Sequence, residues 1–197
     1  MTAPRTRLQA DERRRSIVDV AFELLGTEGF EGFTTREVAA RAKINSATLH
    51  HYFPTKEDLI AAVGARLAEA FATEKAPTRA QVDVPPAVAE LRQEFADLSF
   101  YMRRRPLLPA LYREFASRAR RDASARDVLE ALNRGWQEKV TGILERGRRA
   151  RVFRNDIDPG ATAIVIVGAL WGVVSLFDLS PAAFSRTCEE LEKLVLR

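Results

Sequence analysis

Thr34-Thr35-Arg36-Glu37-Val38-Ala39-Ala40-Arg41-Ala42-Lys43-Ile44-Asn45-Ser46-Ala47-Thr48-Leu49-His50-His51-Tyr52-Phe53-Pro54 is the stretch that decides the fold. Glu37 follows Thr34 by three residues, a capping box in which each side chain can satisfy the other's free backbone N–H. Residues 42–45 are too few for anything but a tight turn. Asn45 or Ser46 then caps a short helix, which cannot pass Pro54. Val38, Ala39, Ala42, Ile44 and Leu49 have the spacing of a small shared core, and the alanines permit close approach. Two short helices joined by three or four residues have the dimensions of a helix-turn-helix.

Helical signals continue on both sides. Ile17, Ala21, Leu24 and Leu25 stripe a helix over roughly 11–27, which Gly29 can end in the left-handed conformation. Thr55 opens another, with Glu57 and Asp58 in its first turn, running to about Glu74. Pro77–Pro86 is linker-like. Helices resume over about 86–104, 106–121 and 125–150. Asp158-Pro159 and Ser180-Pro181 each read as N-cap plus proline at the first helical position, placing helices near 159–178 and 181–196. No alternating run is long enough for a strand. The expectation is an all-α chain of about nine helices, with a helix-turn-helix domain over 1–62 and a second helical domain over 63–197.

Of the 197 residues, 46% are hydrophobic and 29% charged, which excludes bulk disorder. The lone Cys188 excludes a disulfide framework, and the chain does not open on an apolar leader, so a cytoplasmic setting is expected. The net charge of +4 is unevenly spread. Residues 1–60 hold nine basic and nine acidic side chains, whereas residues 103–151 hold fourteen and six. The basic character therefore says nothing about the helix-turn-helix segment, and an acidic ligand or a solvated face would account for the surplus.

In a helix-turn-helix the second helix enters the DNA major groove and the first crosses the backbone. The outward positions here are Asn45, Ser46, Ala47, Thr48, His50, His51 and Tyr52, which offer donors to phosphates and methyl groups to thymine. Arg36 can reach a guanine edge, and Lys56 opens the next helix where phosphates are favoured. Leu49 and Phe53 read as core. Adjacent helical residues point about 100° apart, and no third ligand is near His50 and His51, so neither a metal nor another cofactor is expected.

Thr34–Ala39 and Ala42–Leu59 resemble the N-terminal domain of the TetR (tetracycline repressor) family over roughly residues 13–62. His50 stands where that family usually has tyrosine. The resemblance implies a ligand-responsive transcriptional regulator, usually a repressor, that is not an enzyme. By the same resemblance Arg36, Asn45, Ser46, Ala47 and Thr48 lie near bases. Thr35, His50, His51, Tyr52 and Lys56 lie near phosphates, and Arg5 and Arg7 form a short basic arm.

Residues 159–177 carry no charge, but glycines at 160, 168 and 172 and flanking Asp158 and Asp178 argue against a membrane span. A helix apolar nearly all round must be covered, and Gly168 and Gly172 permit close helix contact. A homodimer interface through Ile164, Gly168, Trp171, Gly172, Phe184, Leu191 and Leu194 is expected, which the family resemblance also implies. Such a homodimer meets a palindromic double-stranded operator, and an apolar or amphipathic small molecule releases it. Phe95, Met102, Tyr112, Phe115, Trp136 and Trp171 are the candidate pocket residues. The competing expectation is a small-molecule sensor that acts through a protein partner. No phosphate loop, metal cluster or nucleophilic triad is present to support an enzyme.

Overall fold

The computed structural model describes residues 4–78, 83–175 and 180–197, with side chains from Leu8 onward. The side chains of Arg5 and Arg7, and the end of the helix expected to reach residue 178, lie outside the described residues. Among the described residues the chain is nine α-helices and no strand: α1 Pro4–Gly32, α2 Thr35–Arg41, α3 Ser46–Tyr52, α4 Lys56–Thr73, α5 Pro86–Arg104, α6 Leu107–Arg118, α7 Ala123–Arg149, α8 Pro159–Val174 and α9 Pro181–Val195. An antiparallel bridge joins Phe153 to Leu196. No helix among the described residues is long and apolar enough to cross a membrane.

The chain divides into two compact units. Unit 1 takes residues 1–73 and 107–130; unit 2 takes 74–106 and 131–197. In unit 1, α1 packs on α2, α4 and α6, and α2 packs on α3. Its core holds Ile17, Ala21, Leu24, Leu25, Val38, Leu49, Phe53, Leu59 and Phe115, all buried. Each large apolar side chain removed from water there contributes about 1.5–3 kcal/mol. In unit 2, α9 packs on α5 and α8. A two-pronged ion pair of Arg92 with Glu192, at 2.8 and 2.6 Å, ties α5 to α9 and raises the Arg92 pKa through those hydrogen bonds.

The expected N-caps are in place. Asp158 Oδ1 accepts from Ala161 N–H at 2.7 Å, and Ser180 Oγ accepts from Ala183 N–H at 3.1 Å. Two backbone positions shape unit 1. Gly29 sits at φ 67°, ψ −176°, breaking the regular run of α1, so that Phe30 N–H donates to Glu114 on α6 at 3.2 Å. A Cβ at Gly29 would lie 2.9 Å from that carboxylate. Lys43, in the turn before α3, is held at φ 54°, in the left-handed region that favours glycine.

These positions give opposite predictions. Gly29→Ala should lower unfolding stability by about 1–3 kcal/mol, because an L side chain is strained there. Lys43→Gly should raise it by about 0.5–1 kcal/mol by relieving strain. Urea unfolding of both variants checks the signs.

Candidate nucleic-acid interface

α3 is only seven residues long, too short to persist alone in water. Three local devices hold it. The Asn45 side chain accepts from Thr48 N–H at 2.7 Å, so Asn45 rather than Ser46 is the cap. The turn is closed by Lys43 N–H to Ala40 O at 3.1 Å and Ile44 N–H to Ala39 O at 3.0 Å. Leu49 and Phe53 are buried in unit 1 at 1% and 2% exposure, which sets the helix rotation. Val38 and Ala39 of α2 are buried with them, while Ala42 and Ile44 are only half-buried.

That rotation decides what faces outward. Ser46, Ala47, His50 and His51 are exposed, and Thr48 and Tyr52 are half-buried. The His51 and Tyr52 rings meet edge to face at 5.4 Å. Asn45 is exposed, with its side-chain oxygen used in capping. On α2, Arg36 is exposed and Thr35 half-buried. Thr34 accepts from Glu37 N–H at 3.1 Å, one half of the expected box; the Glu37 carboxylate instead takes Arg41 at 2.8 Å.

A fully reciprocal box occurs two helices later. Thr55 Oγ1 accepts from Asp58 N–H at 3.0 Å, and Asp58 accepts from Thr55 N–H at 3.0 Å and from its hydroxyl at 2.7 Å. This fixes the start of α4 and hence Lys56, whose ammonium sits 5.5 Å from the centre of the Phe33 ring. Arg14 of α1 lies over the Phe53 ring at 4.7 Å, adding a cation at the foot of α3. The Arg13-Arg14-Arg15 run was the signal for it, and the charge totals over 1–60 hid it.

The six pocket candidates divide between the units. Tyr112 and Phe115 belong to unit 1. Phe115 is fully buried, edge-on to Phe30 at 5.5 Å, as core. Phe95, Met102, Trp136 and Trp171 belong to unit 2, where Phe95 is buried and the other three are half-buried. Trp136 and Trp171 meet edge to face at 5.5 Å, and Trp136 Nε1 donates to Glu94 at 3.0 Å. Glu94 also binds Lys139 at 2.5 Å. Sequence reasoning passed over Glu94 and Asp97, which are 6% and 3% exposed. Their spacing places them beside the stripe of Leu91, Phe95, Leu98 and Tyr101. Asp97 accepts from Ala76 N–H at 2.9 Å and Gln93 at 2.8 Å, and pairs with Lys75 at 3.1 Å. Burial, with Asp97, Glu94 and Glu74 around it, drives the Tyr101 pKa up.

Of the interface candidates, Ile164 and Leu194 are exposed at 58% and 52%, Gly168 and Gly172 are exposed, and Trp171 is half-buried. A Cβ at Gly168 or Gly172 would meet nothing within 4 Å. Phe184 and Leu191 are buried at 4% and 5% within unit 2, so they pack inside the protomer.

An all-α protein that presents a helix-turn-helix this way falls among DNA-binding transcriptional regulators. Residues 17–63 match the family described as bacterial regulatory proteins, tetR family. The chain is 26% identical over 149 residues to the transcriptional repressor NicS of Pseudomonas putida, covering 76% of this chain and 69% of that one. A TetR transcription regulator from Haloarcula marismortui superposes with a TM-score of 0.81 at 19% identity, over 95% of this chain and 100% of the other. The multidrug binding protein EbrR, solved with imidazole, superposes with a TM-score of 0.66 at 23% identity, over 94% and 96%. Residues 17–63 thus carry the N-terminal pattern of tetR-family regulators, and the chain shares the fold of a solved TetR regulator. Its relatives are regulators, not enzymes.

Asn45→Ala should lower stability by about 1 kcal/mol through loss of the α3 cap, and Asn45→Asp should retain most of it; thermal unfolding compares them. The buried Cys188 thiol is pushed up to about 12, chiefly by burial and then by Glu189. At pH 8 it should stay protonated and react with a thiol reagent only on unfolding, which a reaction time course with and without denaturant measures.

Proposed function

We propose that the chain is a ligand-responsive repressor that binds a palindromic operator as a homodimer. Residues 1–62 form its DNA-binding domain, and residues 63–197 sense the ligand and dimerise. The observation that carries the DNA reading is the division of α3: Leu49 and Phe53 anchor one face while Ser46, Ala47, His50 and His51 stand outward. On this reading Arg36, Asn45, Ser46, Ala47 and Thr48 face base edges, and Thr35, His50, His51, Tyr52 and Lys56 face phosphates. A bacterial regulator of this kind acts in the cytoplasm, where the chromosome is.

Dimerisation is supported by the outer stripe of α8. Ile164 and Val165, at 58% and 55% exposure, continue into Gly168 and Gly172, and Leu194 of α9 is exposed as well. An uncovered apolar stripe with glycines allowing close approach suits a symmetric contact with a second copy. Two α3 helices then meet two half-sites about one DNA turn apart. Ligand response is supported by Trp136 and Trp171, whose rings meet edge to face and bring apolar surface beside Glu94, onto which the Trp136 indole N–H donates. EbrR, of the same fold, is a multidrug binding protein. A small molecule releases DNA if it binds better to the conformation whose α3 helices no longer fit the half-sites.

Selection from random duplexes should recover a palindrome. On it, Arg36→Ala and Thr48→Ala should each weaken binding by about 1–3 kcal/mol in a mobility shift. Lys56→Ala should lower the salt slope by about 1 without changing sequence preference. Arg36→Ala and Thr48→Ala binding as tightly as the parent would overturn the assignment of the reading face. Ile164→Glu should shift the protein toward monomer in sedimentation and weaken binding to the palindrome more than to a single half-site.

A further inference from the structure

The basic surplus of residues 103–151 is split between the two units. Arg113, Arg118, Arg120, Arg121 and Arg126 belong to unit 1, together with α1–α4. Two of the five, Arg120 and Arg121, occupy the turn from α6 into α7, and Arg118 ends α6 just before it. That turn is stiff: Ala119 is buried, Arg121 N–H donates to Arg118 O at 2.9 Å, and Arg126 donates to Ala119 O at 3.1 Å. Asp122 is the acid of the turn, and it is occupied, accepting from Ala125 N–H at 3.2 Å and from Arg118 at 3.4 Å. Arg120 and Arg121 are exposed, and no acidic side chain among the described residues pairs with either.

A row of rings connects this turn to the proposed DNA face. The Arg118 guanidinium lies 5.6 Å from the Phe30 ring centre, Phe30 meets Phe33 edge to face at 6.3 Å, and Lys56 lies 5.5 Å from Phe33. Cations therefore stand at both ends of one aromatic row, and the chain passes from Phe33 directly into Thr34 and Thr35. The neighbouring acids are mostly engaged: Glu114 is turned onto Phe30 N–H, and Glu28 pairs with Arg41 at 3.3 Å, while Glu31 stays exposed. Duplex DNA carries a charge for about every 1.7 Å of its axis. A duplex that runs beyond the half-site therefore keeps offering phosphates to cations displaced from Lys56.

We propose that the α6–α7 turn, through Arg120 and Arg121, is a second phosphate-contacting surface that engages duplex flanking the half-site. This rests on the reading of α3 as the recognition helix. The surface carries no sequence information, because phosphates are the same at every step. It adds affinity and salt dependence on long DNA only.

The test uses the full-length chain and two probes: the selected palindrome alone, and the same palindrome extended by about ten random base pairs on each side, one turn of duplex. The parent should bind the extended duplex more tightly and with a steeper salt dependence. Arg120→Ala/Arg121→Ala should reduce that slope by about 2 per protomer, since each phosphate a cation neutralises adds about 0.9, and leave binding to the bare palindrome within about twofold. Arg120→Lys/Arg121→Lys should restore the slope, since any cation serves a phosphate. Equal slopes for the parent and the alanine pair on the extended duplex would overturn the proposal. So would an equal drop in affinity on both probes, which would mean that the turn acts through α3 or through folding. A parent that recovers no duplex at all would overturn the α3 reading and this surface with it.

Discussion

Burial of Leu49 and Phe53 is the interaction on which the rest of unit 1's chemistry depends. Seven residues cannot sustain a helix alone, so α3 exists because its Leu49 and the Phe53 that caps its C-terminus are taken into the core of unit 1. At about 1.5–3 kcal/mol for each large apolar side chain removed from water, that anchoring outweighs any single polar contact on the outer face. It also sets the rotation of the helix. The outward residues are therefore free of structural duties and available to a partner, with the exception of Asn45, whose oxygen caps the helix.

Charge acts here through position rather than through totals. The first sixty residues are neutral overall, yet Arg14 over Phe53 and Lys56 over Phe33 set cations at the edge of the helix-turn-helix. Aromatic faces hold these side chains in place while leaving their charge outward. Unit 2 shows the opposite arrangement. Among the described residues its buried polar side chains are Glu94 and Asp97, each paired with a lysine that reaches in from the surface. The many arginines of α7 stay largely at the surface. An anionic effector drawn by the basic surplus thus finds little support in what unit 2 buries.

Much of the fold was legible because its signals are local. Asp158-Pro159 and Ser180-Pro181 specify two helix starts by hydrogen bonds within four residues, and both caps formed. Thr55 announced α4, though its box with Asp58 proved more complete than the one expected at Thr34, where Glu37 turned to Arg41. What escaped was set by distance along the chain. Nothing near residue 114 indicates that its carboxylate meets Phe30 N–H, and nothing near residue 94 indicates that it meets Trp136. The grouping of residues 107–130 with the N-terminal helices is of the same kind. The pocket candidates were the least legible part: an aromatic residue has the same local pattern whether it fills a core, as Phe115 does, or lies half-exposed beside a carboxylate, as Trp136 does.

The chain contains two histidines, and both stand on the outer face of α3. Their ring Cε1–H signals are therefore a native probe of that face, readable by NMR without substitution. On titration with the selected palindrome both signals should shift and saturate at one duplex per two chains. Two histidine signals that stay unchanged, while a mobility shift under the same conditions reports full binding, would contradict the placing of α3 against DNA.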